Sequence, residues 1–182
     1  MIVGIILAVV ISLKPSWAPA LTPVYAAVEG CFLGAISLFF EEMYPGLVVQ
    51  ALALTFATLF ALLAAYKSGY IKASPGLKRG LVSATLAILI FYLAAWISGL
   101  FGFYGLTSFF ASNSMFSIGV SLVIVAIAAL NLVLDFDFIE SAALAGRTPK
   151  YMEWYGAFGL LVTLIWLYIE ILRLLAKFQS KR

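Results

Sequence analysis

Residues 116–140 read FSIGVSLVIVAIAALNLVLDFDFIE: nineteen residues without a charge, then Asp135, Asp137 and Glu140 within the next six. An apolar run of that length matches the ~20 residues a helix needs to cross the ~30 Å hydrocarbon of a bilayer, so it predicts a membrane helix. Composition points the same way. The chain is 65% hydrophobic and 10% charged, whereas about a quarter of a soluble domain is charged. The expected fold is all-α: a polytopic membrane helical bundle, with residues 1–182 as one integral membrane domain.

Further apolar segments of spanning length run over 17–40, 47–66, 81–103 and 154–177, and the opening stretch over 116–134 with an extension to 145 left open. Residues 1–12 are apolar too, but make only ~18 Å of helix. No basic region precedes them and no cleavage motif follows, so a signal peptide fits poorly. The expectation is about six membrane segments, the first truncated, in a chain that begins partway through a membrane helix. Turn chemistry marks the connectors at Lys14-Pro15, Tyr44-Pro45-Gly46, Ser74-Pro75-Gly76, 102–113 and Gly146-Arg147-Thr148-Pro149. In the last, Thr148 reads as the N-cap of the final helix and Gly146 as the close of the one before.

Charge placement predicts sidedness. Lys14, then Lys67, Lys72, Lys78 and Arg79, then Arg147 and Lys150 occupy alternate connectors, while another holds Glu41 and Glu42. The positive-inside rule puts the basic connectors in the cytoplasm. Arg173, Lys177, Lys181 and Arg182 ask for the same side. Six full spans cannot satisfy both, so either one segment fails to cross or the tail is an exception.

The chain has no histidine and one cysteine, Cys31. A soft metal site, a disulfide framework and a histidine base are therefore excluded, and Cys31 is expected to pack in a helix. Any metal would be a hard, oxygen-loving ion such as calcium. The basic residues sit in membrane connectors, where anionic headgroups account for them without nucleic acid.

Carboxylates inside the spans are the candidate functional groups, because an ionised side chain near the bilayer centre costs roughly 2.5–3.5 kcal/mol. Asp135 and Glu170, the latter in LIWLYIEILRLL (164–175), are the leading pair for ion or proton sensing, and for calcium binding. Asp137 and Glu140 share a helical face three residues apart, with Asp135 turned away from them. Glu29 sits mid-segment beside Gly30-x-x-x-Gly34, a spacing that lets another backbone approach, and the glycines are expected to serve packing; Glu29 itself either is protonated, hydrogen-bonded to a neighbour and tolerated, or lines a cavity. Glu170 and Arg173 are either an intrahelical pair near the surface or part of a site facing Asp135. Helical rise leaves Glu170 about 16 Å further than Asp135 from the intervening turn. Tilt, or residues 151–156 lying along the interface, would be needed to close that offset. Two buried carboxyls cannot both ionise cheaply, so a close pair would share a proton, and deprotonation would part the helices and expose oxygens suited to calcium.

Three stretches carry a family resemblance. AVEGCFLGAISLFFEEMYPGLVVQALALTFATLFALLAAY (27–66) resembles the membrane hairpin of the Bax inhibitor-1/YccA-like family. LVLDFDFIE (132–140) is similar to its Tyr-Asp-Thr-Gln-like motif, with Asp135 at the aspartate. LYIEILRLLAKF (167–178) resembles its final Leu-Tyr-x-Asp-containing helix, with Glu170 replacing aspartate. Residues 147–175 look most like a bacterial branch of the family. The resemblance covers residues 15–178 and implies a proton-sensitive calcium leak in a bacterial inner membrane, with an aspartyl pair as sensor. Two departures stand out: Asp135 and Glu170 are further apart than the family's usual pair, and the expected first helix is missing.

The leading functional expectation is thus a pH-sensitive cation, chiefly calcium, leak channel with Asp135 and Glu170 as sensor and Glu29, Asp137, Glu140 and Arg173 as pore or accessory groups. The alternative is a non-enzymatic regulator that contacts another membrane protein, such as a quality-control protease, through small-residue faces. An intramembrane aspartyl protease fits poorly, because Asp135 lacks a Gly-x-Gly-Asp context.

Overall fold

The computed structural model describes residues 2–102 and 114–180. Six α-helices follow in order: α1 (Ile2–Leu13), α2 (Ala18–Met43), α3 (Leu47–Lys67), α4 (Pro75–Leu100), α5 (Met115–Leu144) and α6 (Tyr151–Gln179), with a 3₁₀ turn at Pro15–Trp17 between the first two. From α2 onward each is long and apolar enough to cross a membrane; α1, at 12 residues, is not. The chain is an all-α integral membrane protein. The expected connector 102–113 lies almost wholly, and the end of the 81–103 span partly, outside the described residues, as do Lys181 and Arg182.

Local chemistry sets the helix ends. Pro75 opens α4 behind Ser74, whose hydroxyl accepts from the Leu77 amide at 3.2 Å. Ser114 caps α5 in the same way through the Ser117 amide, at 3.1 Å. These caps occupy donors that a helix start leaves orphaned. At α3 the cap comes from further back. Glu41 accepts from the amides of Gly46 (2.6 Å) and Val48 (3.2 Å), with Gly46 at φ +82° making the turn. A carboxylate there complements the positive end of the α3 dipole.

The hinge between α5 and α6 corrects one expectation. Gly146 does close α5, at φ +64°. Thr148, however, caps no helix start: its hydroxyl donates back to the Ala142 carbonyl, and α6 begins at Tyr151 behind Lys150. A hydroxyl can serve either end of a turn, and the freed α5 carbonyls were the nearer partners.

Helix α6 is the axis of the bundle. With α3 and α5 it encloses the main core, built on Leu47, Ala51, Ala128, Leu132, Leu167 and Leu172. A second cluster of Ile11, Ala18, Tyr25 and Phe158 joins α1 and α2 to the other side of α6. Helix α4 lies outside, against α5. Around this core the outward faces are apolar, as with Val49, Phe56 and Phe60 on α3 and Leu86, Ile90 and Leu93 on α4. Such a surface suits lipid contact, since hydrocarbon is as apolar as leucine.

Cross-helix contacts fix direction. Ser37 and Tyr168 share a hydrogen bond of 2.6 Å and Thr22 meets the Trp154 carbonyl, so α2 and α6 run parallel. Lys177 meets Ser117 and Ser121 while Gly159 meets Asp135, so α5 and α6 run antiparallel. These directions leave the end of α6 on the Glu41 face, opposite the basic connectors. Of the tail's described cations, Lys177 is buried against two serines, while Arg173 pairs with Glu170 and stays exposed. Gly30 and Gly34 corrected a further expectation: nothing lies within 4 Å of a Cβ at either, so they mediate no packing within the chain. Cys31 lies in α2 but is exposed.

Candidate functional site

The antiparallel α5–α6 seam brings two stripes of 3- and 4-residue spacing together. On α5 the stripe is Ser117, Ser121, Ile124, Ala128, Asn131 and Asp135; on α6 it is Gly159, Thr163, Trp166, Glu170, Arg173 and Lys177. Residues so spaced share one helical face. Polar groups thus occupy both ends of the seam, with Ile124, Ala128 and Trp166 between.

Asp135 lies in the half nearer the basic connectors. Its carboxyl packs against Thr163, and a Cβ added at Gly159 would lie 3.5 Å from Oδ1. Asp135 therefore packs against the Gly159 face of α6 at ordinary contact distance. Oδ2 is buried with no hydrogen-bond partner. Among the described residues it is the one such orphaned side-chain atom, and leaving a buried acceptor unpaired costs about 1–3 kcal/mol or more. One turn further in, the Asn131 amide donates to Thr85 of α4 (2.9 Å) and to the Ile127 carbonyl (2.8 Å).

Glu170 occupies the opposite half. It is 2% exposed and accepts from the Tyr92 hydroxyl of α4 at 2.7 Å, with Arg173 at 3.4 Å. The Arg173 guanidinium also stacks over the Tyr92 ring, 5.6 Å from its centroid. The intrahelical Glu170–Arg173 pair expected from spacing is therefore present, with the carboxylate buried and the guanidinium exposed. Beyond it, Lys177 is 8% exposed and donates to Ser117 Oγ (2.8 Å) and Ser121 Oγ (2.7 Å).

The contacts of Asp135 and Glu170 do not include each other. Glu170 is seven residues on from Thr163, about 10 Å at helical rise, and its partners are Tyr92 of α4 and Arg173 of α6. Residues 151–156 belong to α6 itself, so the sequence offset between the two acids is kept. The other acids are placed elsewhere. Asp137 pairs with Lys78 and Glu140 accepts from Tyr66, both at the wet end of α5. Glu29, 7% exposed, lies at the α1–α2 contact, where a Cβ on Gly4 would fall onto its carboxyl. Among the described residues no three acidic side chains converge as a metal cage.

The sequence model of the family described as Bax inhibitor 1 like matches residues 1–180. The chain belongs to the Bax inhibitor 1 like family. Among curated proteins, and among solved structures, nothing matches it. In this member of the Bax inhibitor 1 like family, Ser117, Ser121, Asn131 and Thr163 join Asp135 and Glu170 in the seam, and Tyr92 reaches Glu170 from α4. Sequence reading passed over all five, because hydroxyls and amides are ordinary in membrane helices. The 3- and 4-residue spacing from Ser117 to Asp135, and from Thr163 to Lys177, was the available signal.

Proposed function

We propose that the chain is a proton-sensitive cation leak, with calcium as its chief ion, in a bacterial inner membrane. The observation that carries this reading is the orphaned Asp135 Oδ2, a buried acceptor kept at a cost inside a polar seam. Asp135 and Glu170 serve as the proton-sensing carboxyls, acting in series along the seam. Cations gather at Asp137 and Glu140, pass Asp135 and Asn131, and reach Glu170 once the apolar stretch at Ile124, Ala128 and Trp166 parts. Each carboxylate offers oxygens to a calcium ion only when ionised. Protonation removes both the attraction and the ligand, so flux falls as the seam acidifies. No covalent chemistry is involved, and the role is non-enzymatic.

Calcium flux into proteoliposomes across pH 5.5–8 tests this. Asp135→Asn in monodisperse protein abolishes the leak or makes it blind to pH; an unchanged pH response in both Asp135→Asn and Glu170→Gln sinks the mechanism. A second reading, regulation of another membrane protein by helix contact, is supported by the exposed Gly30 and Gly34 of α2. Crosslinking in native membranes that captures only self-contacts would count against it.

A further inference from the structure

The end of the seam on the Glu41 face holds a positive charge where lipid and protein meet, and the charge is almost fully covered. Lys177 is 8% exposed, and no carboxylate among the described residues lies within ion-pair distance of it. Three oxygens surround its Nζ instead: Ser117 Oγ at 2.8 Å, Ser121 Oγ at 2.7 Å and the Ser117 carbonyl at 3.5 Å. An ammonium group has three donors and no acceptor, so these oxygens match its capacity. All three present lone pairs to a cation from one helix. Ser117 and Ser121 are one turn apart and themselves buried, at 1% and 4% exposure. The arrangement is an oxygen-lined cation site, and the chain's own side chain occupies it.

We propose that Ser117 and Ser121 form a cation site at this mouth of the α5–α6 seam, which Lys177 fills with its tethered ammonium and so closes. Neutral hydroxyl and carbonyl oxygens suit a monovalent ion or a primary ammonium; calcium requires more ligands and carboxylate charge. Closure has two parts. The ammonium takes the oxygens a passing cation would need, and its charge repels cations approaching from that face. The role of the site as a stopper on ion flow rests on the leak reading above; the site itself rests on the geometry alone.

The test therefore reads access and not flux. Cys31→Ala removes the native thiol, and Ile124→Cys places a reporter on the α5 stripe just inside Ser121, with Ala128→Cys as a second reporter should the first not yield folded protein. A membrane-impermeant cationic thiol reagent is applied from the C-terminal face in proteoliposomes. With Lys177 present, labelling is slow. Lys177→Ala raises the rate about tenfold or more, and millimolar propylammonium brings it back down. Adding Ser117→Ala and Ser121→Ala to Lys177→Ala removes the effect of propylammonium. A rate indifferent to Lys177→Ala overturns the proposal, as does a raised rate that propylammonium leaves unchanged. Slow labelling relieved by Lys177→Ala in protein that carries no calcium upholds the site and sinks the leak reading. Asp135-dependent calcium flux with labelling blind to Lys177 does the reverse.

Discussion

Asp135 keeps one carboxyl oxygen buried without a hydrogen-bond partner. A residue held against stability in this way is expected to yield stability when it is replaced. Asp135→Leu, which removes the orphaned acceptor, should raise thermal stability in detergent, by about 1–3 kcal/mol, while lowering flux. A melting curve on the purified variant checks this, and a marked loss of stability would make Asp135 a structural anchor. Tyr92 is the opposite case, since its hydroxyl satisfies a carboxyl that is nearly fully buried. Tyr92→Phe should destabilise by about 1.5–3 kcal/mol, the range for hydrogen bonds to charged groups, seen as a lowered midpoint in the same assay. At Gly4, where Glu29 takes the place of a side chain, leucine should loosen α1 from α2, by about 1–3 kcal/mol as overpacking does. Glu29→Ala alongside it should relieve most of that loss.

Helix α4 lies outside the main core and is tied to α5 and α6 by polar bonds. Lys78, Thr85 and Tyr92 recur every seven residues on one face and reach Asp137, Asn131 and Glu170. Its buried apolar residues are few, Leu81 and Ala95. Helices secured by few buried contacts open at lower free energy than the core. Amide hydrogen exchange in α4 should therefore be faster than in the inner half of α6, and the joint variant Thr85→Val, Tyr92→Phe should speed it further without changing α6. Equal protection in both helices would show that lipid, not these bonds, holds α4. The α2–α3 corner depends on a different device, the Glu41 cap on the α3 amides, and Glu41→Ala should cost about 1 kcal/mol.

For the whole molecule, five crossings predict that the basic connectors and the end of α6 lie on opposite sides. In a Cys31→Ala background, a cysteine at Lys150 should react with an impermeant reagent from the cytoplasmic side and one at Gln179 from the other. Labelling of both from one side would mean that one of α2 to α6 does not cross. A tail on that side would depart from the charge rule for a local reason: Arg173 is engaged with Glu170 and Tyr92, and Lys177 with two serines, so neither is a free connector charge.

Length and apolarity alone determined that this chain is a helical membrane bundle, where its helices lie, and that carboxylates within it are the unusual groups. Those properties are local: hydrocarbon admits only segments that satisfy their own backbone, and twenty apolar residues announce one. Spacing alone also placed Glu170 beside Arg173. Which faces meet was decided by tertiary packing. The antiparallel register of α5 on α6 set Asp135 against Gly159 and Thr163 and carried Glu170 to Tyr92, so two acids that look like a pair in the sequence stand in opposite halves of one seam. Thr148 turned back to α5, Gly30 and Gly34 turned outward, and Lys177 turned inward to two serines for the same reason. A side chain's partner depends on the register and rotation of a neighbouring helix, and in a chain this uniformly apolar many rotations bury hydrophobic surface equally well. The few polar contacts choose among them, and they exist only once the helices have met.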